Sequence, residues 1–491
     1  MKKAYKHITI YCIIIPAMLA LASRCSKSGD KGGGDDNGGG NQPPVAVTSD
    51  VAYWVTKSDQ SQLLAKQSTA LNFSTAANNY TTITVDSTQT YQQMDGFGFS
   101  LTYGSAQVIS DLDANTKTAL LRELFSTDSN AIGISYLRVS IGASDLNPSV
   151  YTYDDIADGT TDTGLVHFTL DQDLRYVIPV LKSILAINPN IRILGSPWTA
   201  PVWMKTNNAS VGGSLKPEYY GVYAKYLVKY VQGMKAQGIT IDAITPQNEP
   251  LYGGNNPSMV MQPAEQADFI KNNLGPAFQA AGLNTKIIVY DHNADRPDYP
   301  ITVLNDAAAR PYVNGSAFHL YGGNVSALST VHNAYPEKNI YFTEQYTAST
   351  SSFGGDLVWH LANLIIGAPR NWSRNVLEWN LANDASFGPH TNGGCTTCKG
   401  ALTISSATAV TRNQGYYIIA HASKFVPAGS TRIESNNISG MLSNVAFLRP
   451  DGKKVLIVIN ETGNSQTFNI KFKDKQVTPS LDAGAAGTFV W

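Results

Sequence analysis

Ala243-Ile-Thr-Pro-Gln-Asn-Glu-Pro250 and Asn339-Ile-Tyr-Phe-Thr-Glu-Gln345 each run apolar and then stop on a glutamate. The same texture, an apolar run closing on polar or aromatic residues, recurs in Ile191-Arg-Ile-Leu-Gly-Ser-Pro-Trp198, Ala317-Phe-His-Leu-Tyr321 and Asn375-Val-Leu-Glu-Trp-Asn380. Helix-like stretches lie between the runs. The clearest spans about 218–237, where Tyr219, Tyr223, Tyr226, Leu227 and Tyr230 stand at helical spacing, a stripe suited to packing on a barrel. Buried strands alternating with amphipathic helices point to a parallel (β/α)8 TIM barrel with its active site at the strand C-termini. Eight strands are expected, near Gly96 and at 136–141, 191–196, 243–248, 286–290, 317–320, 340–343 and 375–379.

Glu249 and Glu344 are the candidate catalytic residues of that arrangement. A glutamate at a strand end is often only a solvated or ion-paired group. Here Asn248 precedes Glu249 and Pro250 follows it, which fixes the backbone where an amide could reach a hydroxyl. Hydrolysis of a glycosidic bond needs one carboxylic acid to protonate the leaving oxygen and a second carboxylate to attack or to activate water. Two strand-end glutamates could supply that pair.

The rest of the chain fits this reading. It has 491 residues and 43% hydrophobic content, enough for a large core and more than one domain. Charged residues are only 15% and the formal net charge is −1, which leaves no footprint for nucleic acid and no polybasic membrane patch. Lys2, Lys3 and Lys6 precede an apolar run over 8–22, the pattern of a signal peptide over 1–24. Cys25 follows, then a Gly-, Asp- and Asn-rich stretch to about residue 48 that reads as a flexible tether. This resembles a Gram-negative outer-membrane lipoprotein with acyl chains on Cys25, touching the membrane only through that anchor; plain secretion is the alternative, because Arg24 replaces the usual small residue. Cys395 and Cys398 form a lone CxxC in a Gly-rich loop, without the second ligand pair a zinc site needs, and are expected to join as a local disulfide. Strand patterns over 49–94 lack partners in a barrel over 95–405 and are expected to join the β-rich 406–491 in a β-sandwich built from both chain ends. In that region Asp451-Gly452 marks a hairpin turn.

Seven motifs in order carry a resemblance: Asp95-Gly-Phe-Gly-Phe-Ser-Leu-Thr102, Leu137-Arg-Val-Ser-Ile-Gly-Ala-Ser-Asp145, Ser196-Pro-Trp-Thr-Ala-Pro-Val-Trp-Met-Lys205, Gln247-Asn-Glu-Pro250, His319-Leu-Tyr321, Phe342-Thr-Glu-Gln345 and His421-Ala-Ser-Lys-Phe-Val-Pro427. On these the chain resembles glycoside hydrolase family 30, retaining enzymes that include glucosylceramidases, β-xylosidases and endo-β-1,6-glucanases. The resemblance implies Glu249 as acid/base and Glu344 as nucleophile. It places Arg138, Asp145, Trp198, Asn248, His319, Tyr321 and Trp379 around the bound sugar, and implies no cofactor and no metal. Phe99, the stretch Tyr103-Gly-Ser-Ala106 and the loop over 387–398 look most like the bacterial endo-β-1,6-glucanase branch, so the expected substrate is a β-glucan cut internally. An exo-acting β-glucosidase, glucosylceramidase-like enzyme or β-xylosidase is the alternative on this scaffold, and a glycan-binding lipoprotein without activity a remote one.

Overall fold

The computed structural model describes residues 48–128 and 130–491. The signal, Cys25 and tether expectations therefore lie outside the described residues, the tether's last residue apart. Eight parallel strands close into a barrel: β1 Gly96–Ser100, β2 Tyr136–Ile141, β3 Arg192–Pro197, β4 Ala243–Ile244, β5 Lys286–Ala294, β6 Val313–Gly323, β7 Asn339–Glu344 and β8 Ser373–Asn380. Each expected strand is present. β4 alone is much shorter than anticipated, because the chain leaves the ladder at Thr245 to enter the Gln247-Asn-Glu turn.

Strand alternation fills the barrel in layers. Tyr136, Leu194, Ala243, Ile288, Ala317, Tyr341 and Leu377 form an apolar cluster of their own. Two positions further along β2, β3, β6 and β7 come Arg138, Ser196, His319 and Thr343, with Thr245 just past β4; all are buried and polar. A polar layer thus sits directly on an apolar plug. On the outside, the helix Tyr220–Ala236 presents Tyr223, Tyr226, Leu227 and Tyr230 to the core with no exposure, as its spacing predicts.

The N-terminal strands do pair with the C-terminal ones. Ala52–Thr56 runs antiparallel to Ala486–Val490, and Thr81–Gln93 joins Gln466–Phe472 and Thr431–Ser435. The expected hairpin forms between Leu442–Leu448 and Lys454–Asn460, with Gly452 at a φ of 84° in the turn. Period-two alternation lets one strand serve two cores: Leu456 and Val458 fill the sandwich, while Val455, Ile457 and Ile459 join the barrel's core cluster. The helix Gln414–Ser423 packs against β1, and sandwich strands resume only at Thr431. That helix carries His421, fully buried, with Nδ1 bonded to Thr488 Oγ1 and Nε2 to Thr56 Oγ1, both at 2.8 Å.

Candidate active site

β4 and β7 deliver the two glutamates. The turn after β4 holds Glu249 at a φ of 44°, a left-handed conformation rare for a residue with a side chain, and its N–H donates to Asp291 O at 3.0 Å. The ladder register shifts between Phe342 and Glu344, a bulge-like irregularity of the kind that re-aims a side chain at a strand end. One carboxylate oxygen of each glutamate and a ring nitrogen of His319 lie within 4.8 Å of one another.

Arg138 and Asp291 organise the floor. Arg138 donates from Nη1 to Glu344 Oε2 at 2.5 Å, and from Nη2 to Asn248 Oδ1 at 2.6 Å and Asp291 Oδ2 at 2.9 Å. Asp291 Oδ2 also accepts from Ser196 at 2.6 Å and Thr245 at 2.8 Å, while its Oδ1 accepts from Thr343 at 2.7 Å and faces His319 Nε2 at 3.1 Å. Burial opposes charge on Asp291, but the Arg138 guanidinium and the bonds from His319 and Ser196 hold its carboxyl well below the usual range.

His319 bridges the floor to the pair, with Nδ1 at 3.2 Å from Glu249 Oε1 and 3.7 Å from Glu344 Oε1. Burial alone would lower its pKa; the charge of Glu344 and the contacts to Asp291 and Glu249 raise it to about 9. Burial raises both glutamates as well. The protonated imidazole draws Glu249 back down, while Glu344 stays raised despite His319 and Arg138. With His319 raised and Glu249 lowered, the proton of the Glu249–His319 contact rests on His319. The trio is chemically a carboxylate pair bridged by an imidazole; a cation there would compete with the guanidinium already on Glu344 and with the His319 proton.

A cavity of about 550 Å³ opens over the pair. Glu249, Glu344, Asp145, Trp198, Asn248, Tyr321 and Trp379 line it. Trp198 and Trp379 lie 5.4 Å apart between centroids, with the Arg138 guanidinium 4.8 Å from the Trp198 ring. Tyr321 donates its hydroxyl to Glu344 Oε1 at 3.0 Å. Asp145, pushed up to about 7 by burial and by the Glu344 charge, accepts from Cys395 N–H at 3.3 Å. Arg138 and His319 are wholly buried and reach the glutamates from beneath, Arg138 through Glu344 and His319 through Glu249.

The Cys395–Cys398 disulfide is formed, and both cysteines line the cavity. Its loop runs from Asp145, whose carbonyl accepts from Thr391 N–H at 2.8 Å, to Thr347–Ala348, which pairs with Cys398–Lys399 just after Glu344. Sequence reasoning missed several residues here, among them Asp291, His292, Asn255 and Tyr252. Asp291 and His292 lie within β5, directly after its apolar run 286–290. Asn255 donates to Glu249 Oε2 at 3.2 Å and, with Tyr252, belongs to a loop with no apolar pattern to mark it.

Two carboxylates at this separation on the C-terminal rim of a TIM barrel define a two-carboxylate glycoside hydrolase site. The chain belongs to glycosyl hydrolase family 30: residues 94–426 match the family's TIM-barrel domain and 429–489 its beta sandwich domain. It is 38% identical over 395 residues to the endo-1,6-beta-D-glucanase BGN16.3 of Trichoderma harzianum, covering 76% of this chain and 78% of the relative. It is 31% identical over 412 residues to putative glucosylceramidase 2 of Caenorhabditis elegans, covering 80% and 78%. Among solved structures, the endo-beta1,6-glucanase BT3312 superposes with a TM-score of 0.83 at 37% identity, over 90% of this chain and 99% of that one.

Proposed function

We propose that this protein is a retaining endo-β-1,6-glucanase. The observation that carries the reading is the glutamate pair, whose nearest oxygens lie within 4.8 Å, closer than the roughly 6.5–9.5 Å that leaves room for a water in inverting enzymes. Linkage is inferred from the relatives: the endo-1,6-glucanases are more similar to this chain than the glucosylceramidase is.

Glu344, oriented by Arg138 and Tyr321, attacks the anomeric carbon. Glu249 protonates the departing glycosidic oxygen, and His319 at 3.2 Å keeps the proton within reach. Esterification removes the charge of Glu344; Glu249 then takes a proton from water, which attacks the glycosyl-enzyme and releases a product of retained configuration. Asn248 has its Oδ1 held by Arg138, leaving Nδ2 to meet a sugar hydroxyl as oxocarbenium charge grows. Trp198 and Trp379 offer aromatic faces to the ring, and Asp145 accepts from a hydroxyl.

Digestion of pustulan, a β-1,6-glucan, tests the substrate. Oligosaccharides should appear before glucose; glucose alone at early times means exo action, and no product refutes the linkage. Export on a lipid anchor at Cys25 belongs to the same reading, supported by the N-terminal pattern and by a disulfide suited to an oxidising compartment. Cys25→Ser should move the protein from the detergent phase to the aqueous one, and an unacylated N-terminus downstream of residue 25 in the wild type would refute anchoring.

A further inference from the structure

Exposed aromatic rings are unevenly placed. Among the described residues the large exposed aromatics are Tyr80, Tyr252, Tyr321 and Trp359, and only Tyr80 lies away from the barrel mouth. Tyr252 and Tyr321 line the catalytic cavity; Trp359, 40% exposed, stands on the helix Phe353–His360 that follows β7. Trp359 lines a separate groove of about 400 Å³. Tyr321 and Tyr346, with ring centroids 5.5 Å apart, line both hollows, so the groove continues the catalytic cavity across a shared aromatic wall.

The groove has polar groups suited to hydroxyls. Gln345, directly after the nucleophile, lines it and is buried, and its side-chain oxygen has no hydrogen-bond partner. Asp356 accepts from Ser351 and Gln414 through Oδ2 alone, leaving Oδ1 uncommitted. Trp359 packs edge-on against His360, with centroids 5.0 Å apart at 72°, and His360 is bonded to Glu378 Oε1 at 2.7 Å, which steadies the helix end carrying the indole. A flat, part-exposed ring beside the unpartnered Gln345 oxygen and the free Asp356 Oδ1 matches a pyranose, with one apolar face and a rim of hydroxyl donors.

We propose that the Trp359 groove is an accessory subsite that holds a glucosyl unit of the polymer beyond the one in the catalytic cavity. The proposal rests on the glucanase reading above. The subsite anchors a chain that must be held on more than one unit to be cut internally, and it is out of reach of a one-sugar substrate.

Wild type, Trp359→Ala and Trp359→Phe, all as the exported chain, are compared on pustulan and on a 4-nitrophenyl β-glucoside. In Trp359→Ala the KM for pustulan should rise about five-fold, the scale of one lost stacking contact, with kcat little changed. Turnover of the aryl glucoside should persist, reporting an intact fold. Trp359→Phe should recover part of the loss by restoring a ring. Equal losses on both substrates would make Trp359 a structural residue, and an unchanged KM for pustulan would mean no subsite; either overturns the proposal. Wild type inactive on pustulan but active on another β-glucan would refute the linkage alone, and the comparison then runs on that polymer.

Discussion

Glu344 and Glu249 differ in what surrounds them, and their variants should fail differently. Glu344→Gln leaves no nucleophile, so turnover should vanish on every substrate. Glu249→Ala should still release dinitrophenol from an activated glucoside, stall at the glycosyl-enzyme and be rescued by azide. Reversed behaviour would exchange the roles. His319 should shape the alkaline limb. With its pKa raised to about 9, it keeps a proton beside Glu249 through neutral pH and loses it as pH climbs through that value. In kcat/KM against pH, His319→Gln should move that limb down, because Glu249 alone then has to hold the proton. The sign for stability is the same: a raised histidine contributes fully below its unfolded value near 6.5 and ceases to as pH passes about 9. Asp291→Asn leaves Arg138 short of a buried counter-charge and should cost about 3–5 kcal/mol of stability in denaturant melts.

Elements explain which of these residues were readable. On straight strands the period of two carries from an apolar layer to a polar one, so His319 was legible as a site residue from its run, while Arg138 came only from the resemblance. Their depth was not, because which residue meets solvent depends on what the loops cover. Asp291 escaped because β5 breaks its period: Tyr290 and Asp291 both take positive φ, at 76° and 68°, and the register shifts between Tyr290 and His292, turning Asp291 into the floor. Tertiary contacts alone dictate such a bulge. The Tyr220–Ala236 helix, by contrast, was plain from its stripe, and its tyrosines make a test of packing. Tyr223 and Tyr230 have buried hydroxyls without partners, whereas Tyr226 accepts from Tyr153 N–H at 3.1 Å. Tyr223→Phe should leave the melting temperature unchanged or raise it, while Tyr226→Phe should lose about 1 kcal/mol by orphaning that N–H.

The whole molecule depends on both chain ends reaching one sheet. His421 on the barrel's last helix is bonded to Thr56 from the N-terminal strands and Thr488 from the last strand, and Val455, Ile457 and Ile459 face the barrel's core cluster. Removing residues 431–491 would uncover the barrel-side apolar residues that these three cover, so the truncated chain should aggregate. The measurement that tests the assignment most directly is proton NMR of pustulan during the first minutes of digestion by the wild-type protein. New reducing ends should appear first as the β-anomer and then mutarotate, as double displacement through Glu344 requires. Initial appearance of the α-anomer would mean single displacement by water, and Glu344 would not be the nucleophile.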